Sequence, residues 1–308
     1  MQENRVIVVA GPTASGKSGL ALDLAAALNG EVVNADSMQV YKDMPIITAC
    51  PGRGDRAKVP HHLYEIYDPS VNGTVVDWLE RAVSKIREIW ARGGLPIAVG
   101  GTGMYIDNLI NGTTPIPEAD AAIRREVRMI QQREGTPALH EKLGKADAET
   151  AARLSPNDTT RVTRAYEVWM QTGLPLSEWH KKPMVKKIPE ARFKVVKICP
   201  QTAELDARCY RRFDEMMQAG AEDEVRRLLA RNLPENLPAM KALGVPEIGA
   251  YVRGECSLSE AVELGKLHTR QYAKRQRTWF ANKLRADLCL DECYAGRKNL
   301  INDVKKIL

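Results

Sequence analysis

An α/β fold, a parallel sheet flanked by helices with one all-helical insertion, follows from three observations on this 308-residue chain. The apolar run Val6-Ile7-Val8-Val9-Ala10 leads at once into GPTASGKS and then into the helical stretch GLALDLAAAL. Strand-like runs and helical patterns alternate from there to Val99, as a parallel sheet requires. From residue 119 to about 180 only helical signals remain, after which a strand-like run returns.

The first element predicts the type of core. GPTASGKS fits G-x-x-x-x-G-K-[ST], with Gly11, Gly16, Lys17 and Ser18 in the fixed places and Pro12, Thr13, Ala14 and Ser15 between them. That pattern predicts a P-loop NTPase-like sheet. Small residues let successive N–H groups curl around an anion at a helix N-terminus, Lys17 adds a mobile positive charge, and the Ser18 hydroxyl can ligate Mg²⁺. The plain alternative is a glycine-rich turn without a ligand; a complete match with a strand before it and a helix after it weighs against that. The loop does not disclose which phosphate compound it holds.

The elements follow in order. Val6–Ala10 reads as the first strand, Gly16–Leu28 as its helix, and Glu31–Ala35 as the second strand, ending at Asp36. Residues 42 to 77 carry Pro45, Pro51, Gly52, Gly54, Pro60, Pro69 and Gly73, which is loop chemistry. Asp77 is placed to cap the helix WLERAVSKIREIWARG, and Leu95–Val99 forms a buried strand running into Gly100-Gly101-Thr102-Gly103. Pro115 and Pro117 then break the pattern. The helical stretches AAIRREVRMIQQRE, ALHEKLGKA and DTTRVTRAYEVWMQ are separated by Gly135-Thr136-Pro137 and by Leu154-Ser155-Pro156-Asn157, with Asp158 as an N-cap. After the linker KKPMVKKIP, Phe193–Cys199 restores a strand, and helices follow to about residue 286. The expected domains are a core of residues 1–118 and 186–308 and a helical insertion of residues 119–185. No internal repeat is visible.

Composition sets outer limits. At 44% apolar and 27% charged residues the chain reads as an ordinary soluble globular protein. Met1–Arg5 leads straight into the first strand, which leaves no room for a secretory signal, and no apolar run is long enough to span a membrane; a cytoplasmic location is expected. The cysteines at 50, 199, 209, 256, 289 and 293 lack paired C-x-x-C spacing and read as reduced thiols. A net charge of +6 is compatible with a nucleic-acid partner, a weak signal alone.

An ATP-using kinase or NTPase normally ends a core strand in an acid that holds Mg²⁺. Leu95–Val99 instead ends in Gly-Gly-Thr-Gly; the acid at a strand end facing the loop is Asp36. Its possible roles are a turn cap, or a base or metal-orienting group beside the phosphate.

Along nearly the whole chain, from Val6 to about Phe280, a collinear series of stretches resembles the tRNA dimethylallyltransferases. The series is GPTASGKS, NADSMQVYKDM with Thr48 after it, VPHHLYEIYDP, PIAVGGTGMYIDNLINGT, SPNDTTRVTRAYEVWMQTG, RRFDEMMQAGAEDEVRRL, LPAMKALGVPEI and TRQYAKRQRTWF. A phosphate loop alone is common; this ordered series is specific. The resemblance implies transfer of a dimethylallyl group from dimethylallyl diphosphate to N6 of the adenosine 3′ of the tRNA anticodon, position 37, by a monomer. It makes Asp36 the general base. It assigns Gly11–Ser18, Lys17, Mg²⁺ near Ser18, and Arg208 and Arg212 to the diphosphate, and places Thr102 near the base; a turn hydroxyl serving local backbone is the other reading of Thr102.

Contacts to the tRNA anticodon stem-loop are implied for Asp36, Ser37, Met38, Gln39, Thr102, Arg124, Thr160, Arg161, Val162, Thr163 and Arg164. They are implied also for Lys241, Ala242, Leu243, Gly244, Val245, Pro246, Arg270, Gln271, Lys274, Arg275 and Arg277, with the insertion clamping the stem. On a helix through residues 264–280, Arg270, Lys274 and Arg277 share one face, and Tyr272 and Trp279 lie nearly opposite. A solvated charge run is the plain alternative. The chain departs from the family pattern in three places: Gly244-Val245-Pro246 where Gly-Tyr-Arg is common, Thr160 where glutamine is common, and Ile47 where glycine precedes Thr48. Three other readings remain: a small-molecule kinase, an adenylate isopentenyltransferase acting on free nucleotides, and a noncatalytic RNA-binding module.

Overall fold

The structure, a computed structural model, describes residues 4–296 and 298–308. It divides into two compact units, one running to Ile110 and resuming at Lys187, the other spanning Asn111–Lys186. Thr113 and Val185 form an isolated antiparallel bridge, which joins the two ends of the insertion beyond the proline break at 115–117.

Among the described residues the first unit holds six parallel strands: β1 (Arg5–Ala10), β2 (Gly30–Asn34), β3 (His61–His62), β4 (Leu95–Gly100), β5 (Arg192–Ile198) and β6 (Leu288–Leu290). Their order is β3-β2-β4-β1-β5-β6. β1 lies between β4 and β5, with Val8 opposite Ala98 on one side and Val195 on the other. A strand covered on both faces must be apolar throughout, and Val6 to Ala10 are all 0% exposed. Side chains alternate between faces: Val6, Val8 and Ala10 pack with Trp78, Ile86 and Phe280, whereas Ile7 and Val9 pack with Leu20, Leu24 and Val304. Because every strand is parallel, the loops leaving β1, β2 and β4 emerge at the same edge of the sheet. That edge is where a ligand crevice forms in open α/β sheets.

Several local details differ from the sequence reading. The helix Val75–Ala91 is capped by Thr74, whose hydroxyl accepts the Asp77 N–H at 3.2 Å. Asp77 therefore sits inside the first turn, where its carboxylate meets the Tyr67 hydroxyl and Arg81. The proline-rich stretch contains the short helix Arg53–Lys58 and β3. Beyond residue 286, β6 extends the sheet along β5 and the helix Lys298–Ile307 covers one face, neither of them anticipated. Leu288-Cys289-Leu290 is too short and too closely flanked by charge to announce a strand. Met1–Glu3 lie outside the described residues.

The second unit is helical: Ala121–Ala146, broken at Gly135 (φ 85°, ψ 163°), then Ala148–Arg153, Thr159–Thr172 and Leu176–Lys181. Asp158 caps Thr159–Thr172 by accepting the Arg161 N–H at 3.1 Å, as its position suggested. Val127, Leu139, Leu143, Val162 and Ala165 make its core. Among the described residues no helix is long and apolar enough to cross a membrane.

Candidate active site

The loop Gly11–Ser18 joins β1 to the helix Lys17–Leu28 and passes through left-handed backbone at Ala14 (φ 62°) and Gly16 (φ 88°). Gly16 admits no other residue: a Cβ there would lie 2.4 Å from the Tyr294 carbonyl oxygen. Lys17 is buried, its Nζ donating to Pro12 O at 3.3 Å. Burial pushes its pKa down to about 8; the Asp36 carboxylate opposes the shift and the Arg212 guanidinium adds to it. Arg212 donates from Nη1 to Thr13 Oγ1 at 3.3 Å, and burial holds it below the ordinary arginine range, again against Asp36. Two desolvated cations face one carboxylate, so an entering anion would be strongly favoured.

Arg208 behaves differently from Arg212, although both lie on the helix Thr202–Gln218. It donates from Nε to Ala14 O at 2.9 Å and from Nη2 to Tyr294 O at 3.4 Å. It lines a second opening beside the loop rather than the main cavity, and Lys17, Ser18 and Arg212 are common to both.

Asp36 lies two residues past β2. Asn34 fixes it: the Asn34 side chain accepts the Asp36 N–H at 2.9 Å and donates to Asp36 O at 3.0 Å and Leu63 O at 3.1 Å. The Asp36 carboxylate accepts the Met38 N–H through Oδ1 at 3.0 Å, a local turn bond. Thr102 clamps the same turn, its Oγ1 accepting the Ser37 N–H at 2.9 Å and donating to Ser37 Oγ at 3.1 Å. The hydroxyl thus holds the residue next to Asp36, 65 positions away in the chain.

Asp36, Lys17, Ser18, Thr13 and Arg212 line a single cavity of about 300 Å³, together with Ser37, Met38 and Gln39. Ile47, Phe213, Met216 and Leu243 give it an apolar part, and Lys241, Thr269, Tyr272 and Arg275 complete it. Such a cavity can hold an anion joined to a short apolar group, with a carboxylate within the same space. Its oxygen donors, the Ser18 hydroxyl and the Asp36 carboxylate, suit Mg²⁺ held chiefly by water and substrate phosphates. Among the described residues no group of three or more His, Cys, Asp or Glu side chains is placed to hold a metal.

Three residues that build this site were missed. Gln276 accepts the Thr13 N–H through Oε1 and donates through Nε2 to Gly101 O, each at 2.8 Å, which ties the phosphate loop to the turn after β4. A Cβ on Gly101 would fall 2.3 Å from that Nε2. The available signal was position: Gln276 shares a buried stripe with Ala273 and Phe280. Glu224, 2% exposed, accepts the Ile47 N–H through Oε1 at 2.7 Å and the Ile46 N–H through Oε2 at 3.0 Å. Burial pushes its carboxyl above the ordinary range, and the two amides oppose this. Tyr294, beyond the last element the sequence predicts, donates its N–H to Ser15 O at 2.9 Å. Gln39, expected on the RNA, donates to Thr48 O at 3.0 Å and Ala49 O at 2.8 Å and so holds the loop carrying Ile47.

On the helix Leu258–Lys283, Arg270, Gln271, Lys274 and Arg275 are exposed. Arg277 is half-buried against the Thr202 hydroxyl. Lys241 and Pro246 are exposed and Leu243 is half-buried, whereas Ala242, Gly244 and Val245 are buried. Thr160 and Arg161 are exposed at the start of their helix, Arg164 is half-buried beside Glu167, and Arg124 pairs with Glu118 at 2.9 Å. Val162 is corrected: it is 0% exposed in the insertion core, so its side chain cannot reach RNA, and the Thr163 hydroxyl is buried too. The Val245 side chain is buried in the core, and Ala242, also buried, lines the cavity instead.

A family model described as IPP transferase matches residues 39–283. The tRNA dimethylallyltransferase of Bradyrhizobium sp. (strain BTAi1 / ATCC BAA-1182) is 46% identical over 281 residues, 91% of this chain and 92% of that protein. That of Rhodospirillum centenum (strain ATCC 51521 / SW) is 46% identical over 281 residues, 91% of this chain and 90% of that protein. The full-length tRNA isopentenylpyrophosphate transferase of Bacillus halodurans superposes with a TM-score of 0.71 at 35% identity, covering 99% of this chain and 95% of its own. A eukaryotic dimethylallyltransferase acting on tRNA superposes with a TM-score of 0.79 at 30% identity, over 99% of this chain and 72% of its own.

Proposed function

The chain belongs to the IPP transferase family, and from that premise we infer that it prenylates tRNA. It transfers a dimethylallyl group from dimethylallyl diphosphate to N6 of adenosine 37, next to the anticodon, and releases diphosphate. The observation that carries the assignment of roles is one cavity holding buried Lys17 and half-buried Arg212 together with Asp36.

An adenine N6 amine is a poor nucleophile because its lone pair is delocalised into the ring. The reaction forms a bond from N6 to C1 of the dimethylallyl group and breaks the bond from C1 to the diphosphate oxygen. One N6 proton must leave, and Asp36 is the carboxylate available to take it. Its Oδ1 already accepts the Met38 N–H, which leaves Oδ2 as the acceptor for the amine. At the other end, negative charge grows on the departing diphosphate. Lys17, Arg212 and the loop amides stabilise it, their own desolvation already met in the folded protein. Mg²⁺, bound at Ser18 with the donor phosphates, would add Lewis-acid stabilisation of the same charge. Ile47, Phe213, Met216 and Leu243 offer the apolar surface for the prenyl group. Arg270, Lys274 and the exposed guanidinium of Arg275 meet tRNA phosphates, with Thr160, Arg161 and Arg124 of the insertion on the anticodon stem. Because the target base is stacked in the anticodon loop, it must be extruded to reach Asp36.

The test is the mass of an anticodon stem-loop incubated with the protein, Mg²⁺ and either dimethylallyl diphosphate or ATP. Gain of one prenyl unit with dimethylallyl diphosphate alone is expected. A phosphoryl gain with ATP, or prenylation of free AMP in preference to the stem-loop, would replace this reading.

A further inference from the structure

The segment following β6 closes over the outside of the phosphate loop, beyond the residues that the family model matches. Tyr294 is at its centre. Its N–H donates to Ser15 O at 2.9 Å, its carbonyl oxygen accepts Arg208 Nη2 at 3.4 Å, and that oxygen occupies the space a side chain at Gly16 would need. Its hydroxyl donates to Asp23 on the helix Lys17–Leu28 at 2.5 Å. One residue earlier, the Cys293 N–H is shared between the two Glu204 carboxylate oxygens, each at 3.3 Å, on the helix that also carries Arg208 and Arg212. The strap is thus anchored to the loop, to the helix after it and to the arginine-bearing helix.

We propose that this strap, through Tyr294, holds the phosphate loop in its anion-binding conformation and so sets the affinity for the donor's diphosphate. The argument rests on the geometry of the peptide unit. The C=O and the following N–H of a planar trans peptide point in opposite directions. Tying Ser15 C=O outward to Tyr294 therefore aims the Gly16 N–H inward, where an anion would sit. Arg208, bound to both Ala14 O and Tyr294 O, fixes the preceding peptide as well, whose Ser15 N–H closes the loop on Pro12 O at 3.3 Å. The loop needs such support because Ala14 sits at φ 62°, a conformation an L-residue keeps only when its surroundings impose it. In this role Tyr294 is a positioning residue; it lines neither opening onto the loop.

The inference rests on the loop being the diphosphate site, and the experiment separates the two. Binding of inorganic diphosphate is measured by calorimetry for the wild type, Tyr294→Ala, Tyr294→Phe and Asp23→Ala, alongside KM for dimethylallyl diphosphate and Kd for tRNA. Tyr294→Ala should weaken diphosphate and raise the donor KM by about tenfold, the equivalent of losing the backbone hydrogen bond to Ser15 O that the ring seats, with tRNA affinity unchanged. Tyr294→Phe should recover most of the loss, because the ring still seats the backbone. Asp23→Ala should shift diphosphate affinity in the same direction by a smaller factor, and it carries the test if Tyr294→Ala does not fold. Wild-type diphosphate affinity in a folded Tyr294→Ala, or in Asp23→Ala when the former is unfolded, would overturn the strap. So would donor and tRNA affinities that fall together with the melting temperature. A wild type that binds no diphosphate would instead overturn the reading of the loop.

Discussion

At one end of the cavity, Thr13, Lys17 and Ser18 come from the single contiguous loop Gly11–Ser18, and Arg212 joins them from the helix Thr202–Gln218; this is the phosphate end of the proposed reading. The carboxylate end is assembled from separate stretches: Asp36 after β2, its turn clamped by Thr102 after β4, the Lys241–Leu243 segment, and Tyr272 and Arg275 on a helix. The first end is contiguous in the chain, with its cations desolvated. The second is held in place by side-chain clamps, Asn34 and Thr102 on the Asp36 turn, Gln39 and Glu224 on the loop carrying Ile47. The phosphate end is built to hold a charge, and the carboxylate end to place an acceptor. Substitutions at the two should therefore separate binding from chemistry.

The largest effect is expected at Asp36. Asp36→Asn keeps an oxygen for the Met38 N–H but removes the anionic acceptor, so single-turnover transfer with both substrates saturating should fall about 10²–10⁴-fold. tRNA and donor affinities should persist. Wild-type transfer by a folded Asn variant would reduce Asp36 to a turn residue and dissolve the division. Next comes Lys17→Ala, which removes one stabiliser of the leaving group and should cost about 10²–10³-fold in rate while tRNA affinity stays constant. Near-normal transfer there would contradict the assignment of the diphosphate to the loop.

The contrast also explains what the sequence could tell. The loop was legible because its function lies in contiguous spacing, and β1 because a doubly covered strand is apolar at every position. Asp36 was found by its place at a strand end, but Gln276 and Glu224 were not, since a buried polar residue declares itself only by a partner far along the chain. Glu224 and Ile47 are 177 residues apart. Thr74 lost the cap to Asp77 in the sequence reading because both residue types cap helices, and the boundary lay three residues earlier than the apolar pattern suggested. Val162 was carried along in a contiguous stretch, where helical periodicity turns every third or fourth side chain inward.

A smaller effect should come from the basic helix. Arg270→Ala with Lys274→Ala should weaken tRNA binding and flatten its salt dependence by up to about two phosphate contacts, with transfer intact at saturating RNA. An unchanged salt slope would show this face to be merely solvated. Smallest is Glu224→Gln. One amide oxygen can still accept a loop N–H, but the NH₂ opposes the other, at a cost of about 1–3 kcal/mol in thermal stability and a modest rise in donor KM. If the melting temperature and KM both match wild type, the loop carrying Ile47 does not depend on this clamp.

The central claim is that the loop end is a desolvated cation site completed by the donor's diphosphate. Free Lys17 titrates at about 8, far below its ordinary 10.5, so near pH 9 it is mostly neutral. An incoming diphosphate favours the charged form and raises that value, so binding must take up a proton, and donor affinity must fall as pH rises above about 8. Calorimetric titration of dimethylallyl diphosphate near pH 9, in two buffers of different ionisation enthalpy, measures the uptake. Most of one proton per donor bound is expected for the wild type and none for Lys17→Arg, which stays charged. Donor binding by the wild type with no proton exchange would contradict the account.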